Sequence, residues 1–539
     1  MAFSRPRRPN PTRRDAFKSA PDDKRSFPAH KETAPKTKDT SGGAPEFLFQ
    51  HAVALAVSNA QLEGKLDAEH PHEILARLDY ADECRVKTDA VRSFWQVHGL
   101  PAQLVRPIIP SPLPRGYRAT SKRRVYVSRG GVLRFCMGYG AEREETLRST
   151  LEPESHNDVY SWLRKALVSP AYRNVGRSLN FIVVRGGVDR LTLILNFFHL
   201  DAAVMHKVKL LADRVRAELP QVAAMFTFLD ETRSEFYLES RSAGAHPFKK
   251  LFGSEYLDLT VADCKFLYPP SAFSQVNESI LGKFIAEAKK LLKPGPDSTL
   301  IDLFSGYGLF AVALGDAPER TIGMDFNGPA IHAASGNALH NRPDADIEFV
   351  ASAVTPSAIE NKLPPCPAEL YGADEEQPEG ELFLLDPPRN GVRPNVIAAI
   401  AKRSPARVLN VFCSADEVPR TLAAWKHNGY SPSAVRVFDM FPGSPNVETM
   451  VLLEKTKKKP AVQTHGKKSV GFGKNARGKG QSVKRTLPLT SPIAPRRKPP
   501  NSERMPAPIG PPGKTVAVRA PAPVNNTLKH LFPAVQKSE

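Results

Sequence analysis

Residues 299–310 read TLIDLFSGYGLF, an apolar run that leads into a glycine-rich turn. The apolar half predicts a buried strand, and Gly306 and Gly308 would let the backbone of the turn approach a ligand at the start of the next helix. The next apolar run, RTIGMDF, carries Asp325 where an acidic residue accepts hydrogen bonds from ribose hydroxyls. This pattern indicates a cofactor that contains a nucleoside. Glycines that serve only the packing of a tight turn are the alternative interpretation.

The alternation of apolar strand, turn and helix continues toward the C-terminus. Further strand candidates are IEFVAS, LFLLDPP, RVLNVFC, AVRVFDMF and TMVLLEK. Apolar strands separated by helices predict a mostly parallel sheet with helices on both faces, so residues 271–455 are expected to form a Rossmann-like α/β domain. In such a sheet, ligands bind outside the carboxyl ends of the strands.

Two reactive side chains are predicted at that edge. Asp386 follows a strand that the two prolines of LDPPRNG must end, and its carboxylate could accept a hydrogen bond from N3–H of a uracil. Cys413 ends the next strand, and we expect a following helix to lower the pKa of its thiol and make it a nucleophile. An inert core cysteine is the alternative.

The glycine turn alone leaves the cofactor open. Its pattern fits the dinucleotide fingerprint G-x-G-x-x-G/A with Ala311 in the third position, and it fits S-adenosylmethionine equally. Hydride transfer has no use for a reactive thiol, so Asp386 and Cys413 together favour a methyl donor.

The region before residue 271 has a different period. Helices are predicted in FLFQHAVALAVSNAQLEGKL (47–66), in HEILARLDYADECRVKTDAVRSFWQVHG (72–99), and near 157–167 and 202–218. RVYVSRGGVLRFCMGY and NFIVVRGGVDRLTLILNFF each predict two strands joined at a Gly-Gly turn. Residues 46–270 are therefore predicted to form a helical and α+β central domain with an antiparallel sheet, which we interpret as RNA-binding.

The positive charge is confined to the two ends of the chain. Of 539 residues with a formal net charge of +19, residues 1–45 hold 11 Lys and Arg against 5 Asp and Glu, and residues 455–539 hold 19 against 2, which leaves residues 46–454 at −4. Such proline- and cation-rich segments cannot bury enough apolar surface to fold, so we predict disordered arms at 1–45 and 456–539. We interpret them as phosphate-binding arms; tails that only maintain solubility are the alternative.

The cysteines and the apolar runs restrict the class of protein. The five cysteines, at positions 84, 136, 264, 366 and 413, form no C-x-x-C pair, so we expect neither a metal site nor an iron–sulfur cluster. No apolar leader follows Met1, and no apolar run approaches the roughly 20 residues of a membrane span. We expect a cytoplasmic protein without a membrane contact, and a monomer.

Six blocks of the sequence resemble the class I S-adenosylmethionine-dependent uracil-C5 RNA methyltransferase family, in the family's order. They are Phe273-Ser-Gln275-Val-Asn277, Asp302 to Phe310, Asp386-Pro-Pro-Arg-Asn-Gly391, Cys413 with Arg420 after it, Asp439-Met-Phe-Pro442, and Asn446-Val-Glu448-Thr449. More loosely, the region from Leu78 to Pro270 resembles the central domain of the family. The resemblance implies formation of 5-methyluridine in RNA, ribosomal or transfer, with S-adenosylmethionine as cofactor.

The resemblance also implies a role for each matched residue. Cys413 would attack C6 of the uracil, and Glu448 would act as the general base that removes the C5 proton. The positions that match the cofactor-binding set are Gln275, Phe304, Gly306, Gly308, Leu309, Asp325 and Asp386. Asp386 is placed to touch the target base as well. Residues that depart from the usual pattern of the family are Ser305, Leu309, Ala353, Ser414 and Asn446.

Two other functions fit parts of the pattern. A methyltransferase that acts on an exocyclic or ring nitrogen would need only the Asp-Pro-Pro turn, and Cys413 and Glu448 would then be bystanders. A catalytically idle RNA-binding or assembly protein could keep the fold and the basic arms without the chemistry. The intact Cys413 and Glu448 argue against the idle protein, whereas the changed positions Leu309 and Ala353 favour it weakly.

Overall fold

The computed structural model describes residues 47–128, 131–137, 144–234, 238, 248–365 and 380–456. The predicted basic arms, apart from Thr456, lie outside the described residues, as does Cys366. Within the described ranges, no helix is both long enough and apolar enough to cross a lipid bilayer.

The central part of the chain forms a seven-stranded sheet. Its strands are β1 (Thr120–Val127), β2 (Leu133–Met137), β3 (Glu144–Glu145), β4 (Leu179–Arg185), β5 (Leu191–Phe197), β6 (Val222–Leu229) and β7 (Phe248–Phe252). Their order across the sheet is β3-β2-β1-β4-β5-β6-β7. Both predicted hairpins are present, as the antiparallel pairs β1–β2 and β4–β5.

The central sheet is antiparallel, as predicted, at every strand pair except one. Strands β5 and β6 are parallel, because the helix Ala202–Glu218 connects them as a crossover. This helix packs on the same face as the helices Glu154–Val168 and Arg173–Ser178, and the three share a hydrophobic cluster with the strands. The sheet therefore has a core of its own.

The C-terminal part forms the predicted, mostly parallel sheet. After the hairpin β8 (Leu257–Val261) and β9 (Cys264–Tyr268), its strands are β10 (Ser298–Leu303), β11 (Arg320–Asp325), β12 (Ile347–Ala351), β13 (Gly380–Leu385), β14 (Arg407–Phe412), β15 (Tyr430–Phe438) and β16 (Glu448–Lys455). The order is β12-β11-β10-β13-β14-β16-β15. Strands β10 to β14 are parallel, and β16 lies antiparallel between β14 and β15.

Helices connect these strands. Their bounds are Leu281–Leu292, Leu309–Leu314, Gly328–Asn341, Pro356–Asn361, Pro394–Lys402 and Val418–His427. The sheet separates two hydrophobic clusters, one with Ile301 and Ile397 and the other with Leu300 and Phe284. Neighbouring residues of β10 thus point to opposite faces, and both faces are covered as predicted.

The two N-terminal helices, Phe49–Asn59 and Tyr80–Val97, share a hydrophobic cluster with the C-terminal sheet. The second helix begins eight residues later than the periodicity predicts, because Asp79 caps it by accepting a hydrogen bond from the Ala81 amide. The division of the chain at residues 46, 270 and 455 stays a prediction. The shared cluster shows only that these helices help to support the sheet that carries the candidate site.

Candidate active site at the carboxyl edge of the parallel sheet

The strand register brings the predicted reactive side chains to one edge of the sheet. Leu303 of β10 is the partner of Leu385 of β13, so Phe304 and Asp386 come next on adjacent strands. Phe412 of β14 is the partner of Thr449 of β16, and the strands are antiparallel, so Cys413 and Glu448 follow side by side. The register therefore brings Phe304, Asp386, Cys413 and Glu448 to one edge of the sheet.

The glycine turn after β10 has the left-handed backbone that its sequence requires. Gly306 and Gly308 have φ values of +54° and +86°, and Phe304 adopts +66°. A Cβ atom on Gly308 would lie 3.0 Å from Cζ of Phe349, so a larger residue would be both strained and crowded. The Phe304 amide donates to the carbonyl of Met324 at 2.8 Å, which fixes the turn against the end of β11.

Two carboxylates lie beneath this turn. Asp302 is buried at the end of β10, where its Oδ2 accepts from the Ala311 amide at 3.0 Å and its Oδ1 has no partner among the described residues. Asp325 accepts from the Gly306 amide through Oδ2 at 3.1 Å and from the Asn327 amide through Oδ1 at 2.8 Å. Burial raises the pKa of both carboxyl groups. Because each carboxylate oxygen can accept two hydrogen bonds, Asp325 keeps acceptor capacity for a ribose.

Gln275 and Asp386 are joined directly. The Gln275 amide Nε2 donates to Oδ2 of Asp386 at 3.0 Å, and Gln275 is buried. Burial raises the pKa of Asp386 to about 7, and the hydrogen bond from Gln275 opposes that rise. The loop before the helix Leu281–Leu292 is thereby tied to the Asp-Pro-Pro turn.

Cys413 and Glu448 lie in a strongly negative environment. Glu448 is fully buried, and neither of its carboxylate oxygens has a hydrogen-bond partner among the described residues. Burial raises its pKa well above the usual range, and the charge of Asp386 adds to this. Arg389, in the turn after Asp386, acts in the opposite direction on both Glu448 and Cys413. An unpaired buried carboxylate is costly to fold and is therefore a marker of function.

The prediction that the following helix lowers the pKa of Cys413 is wrong for the free protein. Burial raises the pKa of this thiol, and the charges of Glu448 and Asp386 raise it further. The helix itself begins only at Val418, and the intervening 3₁₀ turn Ala415–Glu417 carries two further acids. Cys413 is thus a protonated thiol at neutral pH, half-buried at the sheet edge.

This electrostatic assignment predicts how Cys413 reacts with iodoacetamide. At pH 7.5 the thiol should alkylate slowly, because little thiolate is present. At alkaline pH, where Glu448 is ionised, replacing it by glutamine removes a negative charge beside the thiol, lowers the pKa of Cys413 and should speed its alkylation. Peptide-resolved mass spectrometry measures this, with Cys84 as internal control. Burial and Asp439 raise the pKa of Cys84 to about 11, and neither changes in the variant. An unchanged or slower rate at Cys413 would show that Glu448 does not control its charge.

The hairpin that carries Glu448 is anchored by the second N-terminal helix. Lys87 is fully buried, and its ammonium donates to Asp439 Oδ1 at 2.7 Å and to the Phe441 carbonyl at 3.0 Å. Lys87 also pairs with Glu83 at 2.8 Å, and a carboxylate oxygen of Glu83 accepts from the Gly443 amide. Breaking such a buried ion pair leaves an uncompensated charge, so the hairpin is held firmly.

The polar groups around the glycine turn fit S-adenosylmethionine. Around the glycine turn, Asp302 Oδ1 and Ser305 Oγ are buried without a hydrogen-bond partner from any described residue, and Asp325 retains acceptor capacity. The turn itself, residues 304–309, contains no cation to meet a pyrophosphate. An uncharged ribose and adenine therefore suit it better than a dinucleotide, and the carboxylates suit the positive sulfonium and ammonium groups.

The positions of several residues in and around the site did not follow from the sequence analysis. Leu309, predicted in the cofactor-binding set, packs into a hydrophobic cluster and is 6% exposed. Asn446 is exposed on the hairpin. Arg389 could have been identified from its place in the Asp-Pro-Pro turn. Lys87 could not, because a single lysine in an amphipathic helix gives no indication that it is buried.

Comparison with known proteins gives a consistent result. Residues 212–456 match the family model described as tRNA (uracil-5-)-methyltransferase. An RNA methyltransferase of Thermotoga maritima, itself uncharacterized, is 30% identical over 243 residues, 45% of this chain and 51% of the relative. The 23S rRNA (uracil(1939)-C(5))-methyltransferase RlmD of Marinomonas sp. is 33% identical over 202 residues, 38% of this chain and 42% of the relative. The chain thus spans about half the length, or less, of these curated relatives.

A solved structure supports the fold. The tRNA (uracil-54, C5)-methyltransferase of Pyrococcus abyssi, in complex with S-adenosyl-L-homocysteine, superposes with a TM-score of 0.50 at 16% identity, over 71% of this chain and 85% of that one. At this identity the likeness concerns the fold alone. The matched motifs, the sheet order and the family model agree, and residues 212–456 of this chain are similar to the tRNA (uracil-5-)-methyltransferase family.

Proposed function

We propose that the protein transfers a methyl group from S-adenosylmethionine to C5 of a uridine in RNA. The observation that carries this proposal is the pair of Cys413 and Glu448, at the edge where Asp386 and Gln275 meet. The thiol lies beside a fully buried carboxylate that has no hydrogen-bond partner in the part of the chain that the structure describes. C5 of uracil is a poor nucleophile, so methylation there needs a nucleophile for C6 and a base for the C5 proton. A nitrogen-directed enzyme would need neither.

The electrostatics of the site indicate which groups take up and release protons during the reaction. Asp386 takes up the thiol proton as the sulfur of Cys413 bonds to C6, which leaves Glu448 free to act as a base and makes C5 able to attack a methyl group. The bound cofactor supplies that methyl as an electrophilic sulfonium. Glu448 then removes the C5 proton, the C6–S bond breaks, and the C5–C6 double bond is restored. One proton returns to Cys413, and the other passes to water.

The substrate class rests on the surface around the site. Phe273, beside Gln275, is 70% exposed, and Phe326, beside Asp325, is 68% exposed. Exposed aromatic rings are stacking platforms for unpaired bases, and a base must leave its stack to reach a buried thiol. Ribosomal RNA is our first candidate and transfer RNA the second. We further propose a monomer that acts in the cytoplasm.

The test is methyl transfer followed by product identification. Purified protein should transfer label from S-adenosylmethionine to RNA, and nucleoside mass spectrometry should identify 5-methyluridine. RNA from a deletion strain, analysed fraction by fraction, should lack this nucleoside in one RNA class. Binding of the cofactor without any transfer would favour an idle RNA-binding protein, and a methyl group on nitrogen would favour the nitrogen-directed enzyme.

The basic C-terminal segment gives a separate prediction. Residues 455–539 carry 19 Lys and Arg against 2 Asp and Glu, beside a middle region of −4. Each neutralised phosphate contributes about −0.7 to −0.9 to the slope of log K against log salt. Deleting residues 457–539 should flatten this slope by several units and raise KM for RNA, with kcat nearly unchanged. An unchanged slope would mean that the segment serves only solubility.

A further inference from the structure

Arg185 lies at the end of β4 in the central sheet, outside the site described above, yet it reaches the loop that carries Gln275. It is 2% exposed. Its Nη1 donates to the carbonyls of Pro270 and Ala272, the latter at 2.7 Å, and its Nη2 donates to the Ser274 hydroxyl at 2.7 Å. One guanidinium therefore binds three acceptors within five residues of chain.

The same loop is bound to the central sheet through its backbone. The Ala119 amide donates to the Val276 carbonyl at 2.8 Å, and Arg118 and Asn277 form an antiparallel bridge. The Gly186 amide, next to Arg185, donates to the Ala119 carbonyl at 2.8 Å. Arg185 thus completes a frame around residues 270–277.

This loop carries Gln275, whose side chain donates a hydrogen bond to Asp386. Gln275 directly follows Ser274, and Ser274 is buried, with its hydroxyl in the hydrogen bond from Arg185. A planar guanidinium offers donors in a fixed fork, and here Nη1 serves two carbonyls while Nη2 serves a hydroxyl. A lysine ammonium at this position would keep the charge but not the geometry.

We propose that Arg185 is a positioning residue that holds Gln275 against Asp386, which makes the central sheet a necessary part of the cofactor site. Arg185 does not touch the reacting atoms. It acts through the loop 270–275, and its loss releases three acceptors whose positions set the backbone before Gln275. This inference rests on the proposed function, in that the affected ligand is S-adenosylmethionine.

A double-mutant cycle on cofactor binding tests the inference. Arg185→Lys should raise the Kd for S-adenosylmethionine about tenfold, as should Gln275→Ala, and Ser274→Ala, the smallest change, about threefold. On a Gln275→Ala background, Arg185→Lys and Ser274→Ala should each change Kd by less than about twofold, because the residue through which they act is gone. Effects that multiply, to about 100-fold in Arg185→Lys/Gln275→Ala, would overturn the inference.

A matched control separates positioning from loss of stability. Arg123 is fully buried in β1 of the same sheet. Its guanidinium donates two hydrogen bonds to the carboxylate of Glu152, and neither goes to residues 270–277. Arg123→Lys should lower the melting temperature as Arg185→Lys does, yet leave Kd within about twofold. An equal loss of affinity in this control would overturn the inference. If the wild-type protein binds no S-adenosylmethionine, the proposed function fails as well; if it binds and the effects multiply, only the role of Arg185 fails.

Discussion

Replacing Cys413 by alanine is expected to reduce methyl transfer by about 10³-fold or more, equivalent to about 4 kcal/mol in the barrier. The thiol is needed for addition to C6, and no other group at the sheet edge can replace it. Binding of S-adenosylmethionine should change little, since the groups proposed to bind the cofactor lie on Gln275, on Asp325 and in the glycine turn. Initial rates of methyl incorporation and equilibrium binding of the labelled cofactor measure the two effects.

Cys84 provides the control for this variant. It is also a half-buried free cysteine, but it lies on the second N-terminal helix and not at the end of β14. Cys84→Ala should retain normal rates. If Cys413→Ala stays within about tenfold of the wild-type rate, covalent catalysis by this residue is wrong.

Glu448→Gln is expected to separate methyl transfer from product release. Cys413 can still add to C6 and C5 can still be methylated, but the C5 proton has no acceptor, so the enzyme should stop as a methylated covalent adduct. Turnover should fall on the order of 10²- to 10⁴-fold, with a stoichiometric burst of methyl transfer at most. Denaturing electrophoresis of the RNA–protein adduct measures this. Steady turnover without an adduct would remove Glu448 from the role of base.

The same variant should be more stable at alkaline pH. Burial raises the pKa of Glu448 well above its value in the unfolded chain, so the folded protein binds the proton more tightly. The stabilising effect of that proton is complete below the unfolded pKa and is lost as pH rises through the folded pKa. The melting temperature of Glu448→Gln should therefore exceed that of the wild type more at pH 8 than at pH 5. A site optimised for reaction rather than for stability behaves in this way.

Much of the fold follows from local sequence patterns. The alternation of apolar runs and helices predicts β10 to β16, and the Gly-Gly turns predict both central hairpins. The parallel pairing of β5 with β6 does not follow, because a helix between two strands is compatible with either direction until the sheet is assembled. The packing of the N-terminal helices on the C-terminal sheet does not follow either, because it joins segments about 200 or more positions apart in the sequence.

Part of the candidate site could likewise be predicted from the sequence, and part could not. Asp386 and Cys413 are predictable because strand ends meet at one edge of a parallel sheet, and Glu448 because the sequence resembles a known family. The charge state of Cys413 is not, since its pKa depends on Glu448 and Asp386, which only the register brings beside it. The contact of Arg185 with the loop could not be predicted for a related reason. An arginine at the end of a strand gives no sign that its guanidinium reaches a loop 85 residues away.

The most direct test of the central claim uses RNA in which 5-fluorouridine replaces uridine. After methylation, C5 of 5-fluorouridine carries fluorine and no proton, so Glu448 has no proton to remove. The bond between Cys413 and C6 should therefore persist. With S-adenosylmethionine present, peptide mapping of the adduct should find a methylated fluorouridine attached to the peptide that contains Cys413, and Cys413→Ala should give none. Turnover on ordinary RNA with no adduct on the fluorinated RNA, or an adduct at another residue, would contradict the account.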